Sequence, residues 1–330
     1  MMNALPPDRP DLRPQRRAII CGLAGAALST MPSQGQGVPL TDIPVIDTHV
    51  HLFDPRRPQG VPYSGPAGQP PQLALPDIYR SLAGPTGIAG AIVIEASYWI
   101  EDNLWILERA HSDPMFVGVV GHLEPDKPEF AQYLDRFSKD PLWRGIRYAQ
   151  VATMNGNRAV LKPGVTDGLK LLAQKDLSLD MANPSIFLLR GALLVTEAVP
   201  DLRVIMDHMP QFDVQPQEQT AYDDLLTKLS QQPNFFLKLS QVVHPDNHGV
   251  IAHDLGAYRA RLDHLIAIFG PDRIMFGSNW PATVGKADIP ESVSLMRAYF
   301  LDKPRIEAEK YFWRNSKAIY KWSPRGGNQP

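Results

Sequence analysis

From Val45 onward, short β-branched and apolar runs alternate with longer stretches whose apolar positions recur every three to four residues. The runs predict strands at Val45–His51, Ala89–Ala96, Met115–His122, Arg144–Gln150, Leu177–Ala182, Arg203–His208, Asn234–Ser240 and Arg273–Asn279. The stretches predict helices at Glu101–Ser112, Pro128–Ser138, Gly164–Gln174, Ser185–Ala198, Glu218–Gln231, Leu255–Phe269 and Ala287–Phe300, and a last one from about Arg305 to Trp322. Pro128 falls inside a first turn, where its missing N–H costs nothing. Ser185 and Asp254 have the chemistry of N-caps. Strand–helix alternation argues for a parallel sheet. The expected fold is therefore α/β, a single-domain (β/α)8 TIM barrel over residues 42–322 with a short tail at 323–330, and such barrels typically take ~250 residues. A doubly wound open sheet would want a glycine-rich phosphate turn after the first strand, and histidines stand there instead.

Composition narrows the partner. The 330 residues are 44% hydrophobic with a net charge of -2, which leaves no electrostatic footprint for nucleic acid or an anionic membrane. A small-molecule substrate is the expected partner, with a homo-oligomer left open. The single cysteine, Cys21, excludes an intrachain disulfide. Residues 1–37 differ from the rest: Arg9, Arg13, Arg16 and Arg17 precede an apolar run from Ala18 to Leu28, and small and polar residues follow from Ser29 to Gly37. That is the order of a secretory signal. The Arg16-Arg17 pair resembles a twin-arginine export signal, so an exported, periplasmic or extracellular protein is expected. A disordered tail with a chance apolar patch is the plainer alternative.

Candidate chemistry collects at strand ends. In strict alternation Val45, Asp47, His49 and His51 share one face, and in a barrel the residues near a C-terminal strand end reach the mouth. A one-residue slip would turn both histidines outward, and a hydrogen-bonded core pair is the plainer reading of the two. The other strand ends carry Glu95, His122, Arg147 with Gln150, Asp180 with Asn183, Asp207-His208, Lys238 with Ser240, and Ser278-Asn279-Trp280. Polar residues at one mouth between apolar strand bodies argue for catalysis more strongly than any one motif. The long Pro- and Gly-rich loop from Phe53 to Leu75 offers Arg56, Arg57 and Tyr63 as substrate contacts, with a surface loop as the alternative. His244, His248 and His253 follow the seventh strand, where substrate contact or plain surface is preferred to metal binding. His111 and His264 read as helix-surface or packing residues, and Trp99, Trp105 and Trp143 as packing.

Asp47-Thr48-His49-Val50-His51-Leu52-Phe53-Asp54-Pro55 resembles the opening of the amidohydrolase superfamily, in the amidohydrolase-related (amidohydrolase 2) branch. Further likenesses follow in order at Gly118–Gly121, Gly145-Ile146-Arg147, Asp207-His208, Leu237–Ser240 and Phe276–Pro281, and span nearly all of residues 44–322. The lactonase-type members are the most similar, and the stretches around Asp54-Pro55-Arg56 and Glu95-Ala96-Ser97 resemble an exported bacterial subgroup. The resemblance implies a hydrolase with catalytic His49, His51 and His208, and Asn279 where many relatives carry an aspartate base. A neutral amide has no usable basicity, so Asn279 is expected to hold water or substrate, and His208 or His51 to act as base, with Glu95 and His122 as second choices. Arg147, Glu95, His122, Tyr63 and Trp280 are the expected substrate contacts. The expected reaction is water attack on the carbonyl of a cyclic ester, a sugar-acid or aromatic-catabolite lactone. Metal-free catalysis is expected, with the histidines binding the carbonyl oxygen. A zinc or manganese ion on His49, His51 and His208 is the alternative. The rival functions are a metal-dependent amide or ester hydrolase or decarboxylase, and a non-catalytic ligand-binding barrel.

Overall fold

The computed structural model describes residues 40–61, 73–156, 158–210, 214–215, 217–246 and 248–330. The expected export signal and Tyr63 lie outside the described residues, as does most of the loop around Tyr63. Residues 38–330 form one compact unit.

Eight parallel strands are ordered β1 (Val45–Val50), β2 (Ile88–Ile94), β3 (Phe116–Gly121), β4 (Trp143–Arg147), β7 (Ser178–Ala182), β8 (Arg203–Asp207), β9 (Phe235–Leu239) and β10 (Ile274–Phe276). Helices α1 (Pro76–Ala83), α2 (Ile100–His111), α3 (Phe130–Phe137), α4 (Val165–Gln174), α5 (Ile186–Ala198), α6 (Gln219–Ser230), α7 (Gly256–Phe269) and α8 (Ile289–Phe300) connect them. This is the expected (β/α)8 barrel, and every expected strand is found within a few residues of its expected bounds. The seam between β1 and β10 is drawn together just above the last ladder, where Asn279 N–H donates to His49 O (2.8 Å) and His51 N–H to Trp280 O (2.8 Å). Gly277 makes this approach feasible, because a Cβ there would stand 2.9 Å from the Cβ of His49.

Two elements were not expected. Helix α1 follows the Pro- and Gly-rich loop directly. An antiparallel hairpin, β5 (Ala152–Asn155) with β6 (Arg158–Leu161), follows β4. The last expected helix breaks into α9 (Arg305–Glu309), a π-helical turn at Lys310–Arg314, and α10 (Asn315–Tyr320). Ser185 caps α5 as expected, accepting from Leu188 N–H at 3.2 Å. Asp254 sits one residue before the cap of α7 and accepts from Gly256 N–H. Pro128 precedes α3 rather than entering its first turn.

Packing separates the two faces of the barrel. Leu179, Met181, Val204, Met206, Leu237 and Leu239 point toward the helices and join their core. Ile46, Ile92, Ile94, Val120, Ile205 and Met275 form a second cluster inside the barrel, which Tyr320 and Trp322 close from below. Charge enters this interior on β7, β8 and β9: Lys238 Nζ lies 2.6 Å from Asp180 Oδ2 and 2.9 Å from Asp207 Oδ1, and Tyr320 O–H donates to Asp180 Oδ2 at 2.6 Å. All three charged side chains are fully buried. An ionic cluster of this kind costs desolvation and holds geometry, and it is weak evidence for stability by itself.

Candidate active site

Strict alternation on β1 does not hold. Between Asp47 and Val50 the strand spends three residues against two on β2, Asp47 pairing with Ala91 and Val50 with Val93. The extra residue changes which face each side chain takes. Asp47 faces the helices, where Tyr79 O–H of α1 donates to its Oδ2 (2.8 Å), and Ile46 faces the interior. His49 and His51 nonetheless point inward, as expected, because the bulge resets the phase between them and Ile46. Asp47 also accepts from the N–H groups of His49 (3.1 Å) and Ser278 (2.8 Å), so it fixes the bulge and the β10 seam together.

The chain leaves four successive barrel strands through left-handed, non-glycine residues: Asn183 (φ 65°), His208 (φ 73°), Gln241 (φ 54°) and Asn279 (φ 58°). Such conformations cost about 1–3 kcal/mol each and persist where the surroundings impose them. Two of the four are the expected catalytic His208 and Asn279.

The histidines converge. His49 Nε2 lies 3.2 Å from His51 Nε2, which lies 3.1 Å from Asn279 Oδ1. The His208 ring is 4.7 Å from that of His49 between centroids. The outer nitrogens are held by the protein. His51 Nδ1 is 3.0 Å from Ile94 O, and a carbonyl only accepts, so this nitrogen carries the proton. His49 Nδ1 faces Asp207 Oδ1 at 3.5 Å, and His208 Nδ1 faces Ser240 Oγ at 3.0 Å. With its proton on Nδ1, His51 turns a bare lone pair toward Asn279 Oδ1 and toward His49 Nε2, which donates to it when His49 carries its proton on that nitrogen.

Burial keeps these rings neutral. It pushes His51 down to about 4, helped by the charge of Arg147, and His208 down to about 3 against the pull of Asp207. His49 is also held well below its ordinary value by burial, with Asp207 opposing. Burial pushes Asp180 up to about 6 against the attraction of Lys238. Burial works the same way on Asp207, but Lys238 and His49 outweigh it and hold that carboxyl well below the usual range.

A cleft of about 290 Å³ opens above His51, walled by Glu95, Ser97, Tyr98, His122 and Arg147. Arg147 Nε donates to Glu95 Oε1 at 2.9 Å, while Arg147 Nη1 is buried without a hydrogen-bond partner. His122 Nε2 also has no hydrogen bond, and Glu124 Oε1 stands 3.6 Å away. Glu95, His122 and Arg147 are thus brought to the site as expected. Trp280 is not: it is buried on the helix side, its ring 5.5 Å from that of Tyr79, because the residue after left-handed Asn279 turns away from the mouth. Arg56 pairs with Asp54, and Arg57 pairs with Asp102 and lies over the Trp105 ring, so both are engaged by the protein. His244, His248 and His253 do not converge: His244 Nδ1 donates to Val242 O, and His253 pairs with Glu291. His111 pairs with Asp140, His264 is exposed, and Trp143 stacks on Phe137. Sequence reasoning missed the roles of Asp207 and Ser240 behind the histidines, although alternation on β8 and β9 places both inward.

The Amidohydro_2 (amidohydrolase) family model matches residues 46–322, most of the chain. The chain belongs to the amidohydrolase family. That membership makes it a hydrolase. An L-fucono-1,5-lactonase of Burkholderia multivorans is 23% identical over 296 residues, 83% of this chain and 94% of that protein. A zinc-bound amidohydrolase structure from Burkholderia multivorans has a TM-score of 0.73 and 21% identity, covering 85% of this chain and all of that one. A putative 2-pyrone-4,6-dicarboxylic acid hydrolase structure from Pseudomonas putida has a TM-score of 0.64 and 19% identity, covering 84% of this chain and 98% of that one. At these identities the structural likeness shows the fold alone.

The zinc in one relative prompts a test of this donor set. Two nitrogens each about 2.0–2.1 Å from a tetrahedral zinc stand roughly 3.3 Å apart, close to the 3.2 Å between His49 and His51. Outer nitrogens bonded to a carbonyl in His51 and a hydroxyl in His208, with a carboxylate 3.5 Å from that of His49, resemble the support that ligating histidines receive. Among the described residues no group of three or more His, Cys, Asp or Glu closes into a metal cage. The lone pairs of His51 and Asn279 need positive charge or a donor between them, which His49 Nε2–H supplies in one tautomer; with the His49 proton on Nδ1 instead, the three inward donors fit one divalent ion.

Proposed function

We propose that this protein is a lactonase that opens the cyclic ester of a neutral, polyhydroxylated sugar acid. The observation that carries the reading is the Arg147–Glu95 pair in the wall of the cleft above the histidines. Bonded to each other through Arg147 Nε and Glu95 Oε1, the two leave both Nη nitrogens of the guanidinium as donors and the other carboxylate oxygen as acceptor, with no net charge. That arrangement suits adjacent hydroxyls, each of which donates and accepts. A dicarboxylate lactone would want more uncompensated positive charge. The lactonase name of a relative that spans most of the chain supports the same reading.

In this reading the ring carbonyl lies over His51 and the sugar hydroxyls lie against Arg147, Glu95 and His122. Water adds to the carbonyl carbon, the ring C–O bond breaks, and the water proton passes to the leaving alkoxide. The outward proton on His51 gives its inner nitrogen no hydrogen to offer a carbonyl oxygen, so the oxyanion role expected of it passes to Arg147. His51 and His208 accept from the attacking water, and Asn279 holds it. Both rings are weak bases at these pKa values, so the water must be acidified by neighbouring charge. A divalent ion held by His49, His51 and Asn279 would supply that charge and polarise a substrate oxygen, and with the His51 lone pair engaged the water proton would then fall to His208 alone. We also place the protein outside the cytoplasm, on the strength of the Arg16-Arg17 pair and the apolar run behind it.

The test is elemental analysis of protein purified without chelators or a His-tag, run beside a lactone panel on the same sample. Turnover of neutral aldonolactones above that of pyrone dicarboxylates is expected. The reverse preference, or none, overturns the substrate class. Near-stoichiometric zinc or manganese that is needed for turnover assigns the histidines as ligands, and metal-free protein of full activity assigns them as direct proton acceptors.

A further inference from the structure

The cleft does not end at the ring it would hold. Tyr98, on the loop after β2, walls it on one side and is 65% exposed. The same tyrosine lines a second groove of about 310 Å³ with Leu123, Glu124, Lys127, Phe130 and Tyr133, from the loop after β3 and the start of α3. Glu124 joins the two spaces, standing 3.6 Å from His122 Nε2 on one side and 3.6 Å from Lys127 Nζ on the other. The groove therefore continues outward over the barrel rim from the cleft, and it is of similar volume.

We propose that this groove is a second subsite, which receives a further neutral sugar ring joined to the lactone, so that the preferred substrate is a lactone of a disaccharide acid or longer. This rests on the lactonase reading and specifies its substrate. The lining sets the chemistry. Tyr98 and Tyr133 offer flat apolar faces above the buried Phe130, while Glu124, Lys127, Glu129 and two phenol hydroxyls stand among them. A purely apolar ring would cover those polar groups and leave them without partners, which is costly. A sugar ring presents an apolar C–H face to the aromatics and a rim of hydroxyls to the charges. Glu124 and Lys127 pair with each other and Glu129 adds a further carboxylate, so the groove disfavours an acidic partner and offers acceptors to hydroxyls. The aromatic residues hold a ring at low entropic cost, having few rotatable bonds.

The test compares glucono-1,5-lactone with cellobiono-1,5-lactone, each measured above its spontaneous hydrolysis, for the full chain and for Tyr133→Leu and Lys127→Ala. Tyr133→Leu keeps an apolar side chain packed on α3 and removes the flat face and hydroxyl. Lys127 is exposed, so its removal leaves the fold intact. The expected result is a kcat/KM at least tenfold higher for the two-ring lactone, carried mainly by KM. Each variant should lose most of that advantage while turning over the one-ring lactone within twofold of the parent. Equal use of the two lactones by the parent, or an equal loss on both in the variants, overturns the subsite and leaves the lactonase reading standing. If neither lactone is opened, the lactonase reading fails and calorimetry decides the groove. Cellobionate binding more tightly than gluconate, and losing that margin in Tyr133→Leu, supports the groove as a sugar site, and no margin overturns it.

Discussion

Three buried imidazoles held neutral make this fold acid-sensitive through identifiable groups. An unfolded histidine titrates near 6.5, whereas His51 and His208 in the fold take up protons only near 4 and 3. Between those values the unfolded chain binds more protons than the native one, so stability falls as pH falls. From pH 7 to pH 5 the linkage amounts to about 2 kcal/mol for each of the two rings. Asp180 works in the opposite sense. Its folded pKa of about 6 lies above its unfolded value, so it binds a proton natively on acidification and returns about 1 kcal/mol. Asp207 is held below the usual range and stays ionised in both states over this interval. The net loss is about 3 kcal/mol before His49 is counted, and His49 adds to it. At a urea m-value of roughly 3 kcal/mol/M, the unfolding midpoint should drop by about 1 M between pH 7 and pH 5. Unfolding at pH 5 should take up about one proton net from His51, His208 and Asp180 together. A bound divalent ion would steepen the loss, since protons compete for the same nitrogens. A midpoint that stays level or rises on acidification would refute the neutral-histidine assignment.

Two substitutions probe the groups around those rings. Lys238→Met leaves Asp180 and Asp207 facing each other without their cation and should cost about 3–5 kcal/mol, the usual penalty for breaking a buried pair; urea denaturation at pH 7 measures it, and a loss below about 1 kcal/mol would mean both carboxyls are already protonated. Asn279→Asp sets a carboxylate where an amide oxygen now lies 3.1 Å from His51 Nε2, so His51 should take up its proton well above pH 4; imidazole NMR follows that titration, and an unmoved His51 would show that the side chain at 279 does not face it.

The barrel was legible in the sequence because alternation of apolar strand bodies with amphipathic helices is a repeating signal, and eight repeats reinforce one another. Helix α1 was obscured by the Pro- and Gly-rich loop that runs into Pro76. The hairpin β5–β6 had a usable signal in Gly156-Asn157 between two short runs, masked because strand β4 was extended through Gln150. The site was legible as a set of strand ends, since barrel geometry alone gathers them. What alternation could not supply was the phase of β1. Three residues against two is a local irregularity, and period-two reasoning through it places Asp47 with the histidines when it belongs with Tyr79 and the β10 seam. The same limit misplaced Trp280, which follows a left-handed residue.

The bulge also explains why a carboxylate can stand two residues from His49 without joining the catalytic set. Asp47 is pushed up by burial, and its oxygens are taken by two backbone N–H groups and a phenol. Its acceptor capacity is committed to closing the barrel at the point where the histidines emerge. Asp207, from the next turn of the interior, takes the place behind His49 that strict alternation would have given Asp47. It does so with Lys238 beneath it, so the charge that orients His49 is itself held from below by Asp180 and Tyr320. The chain of contacts runs from the floor plug at Tyr320 to the histidine at the mouth. Loosening Tyr320 should therefore reach His49 through two carboxylates and a lysine, without any direct contact between the two rings.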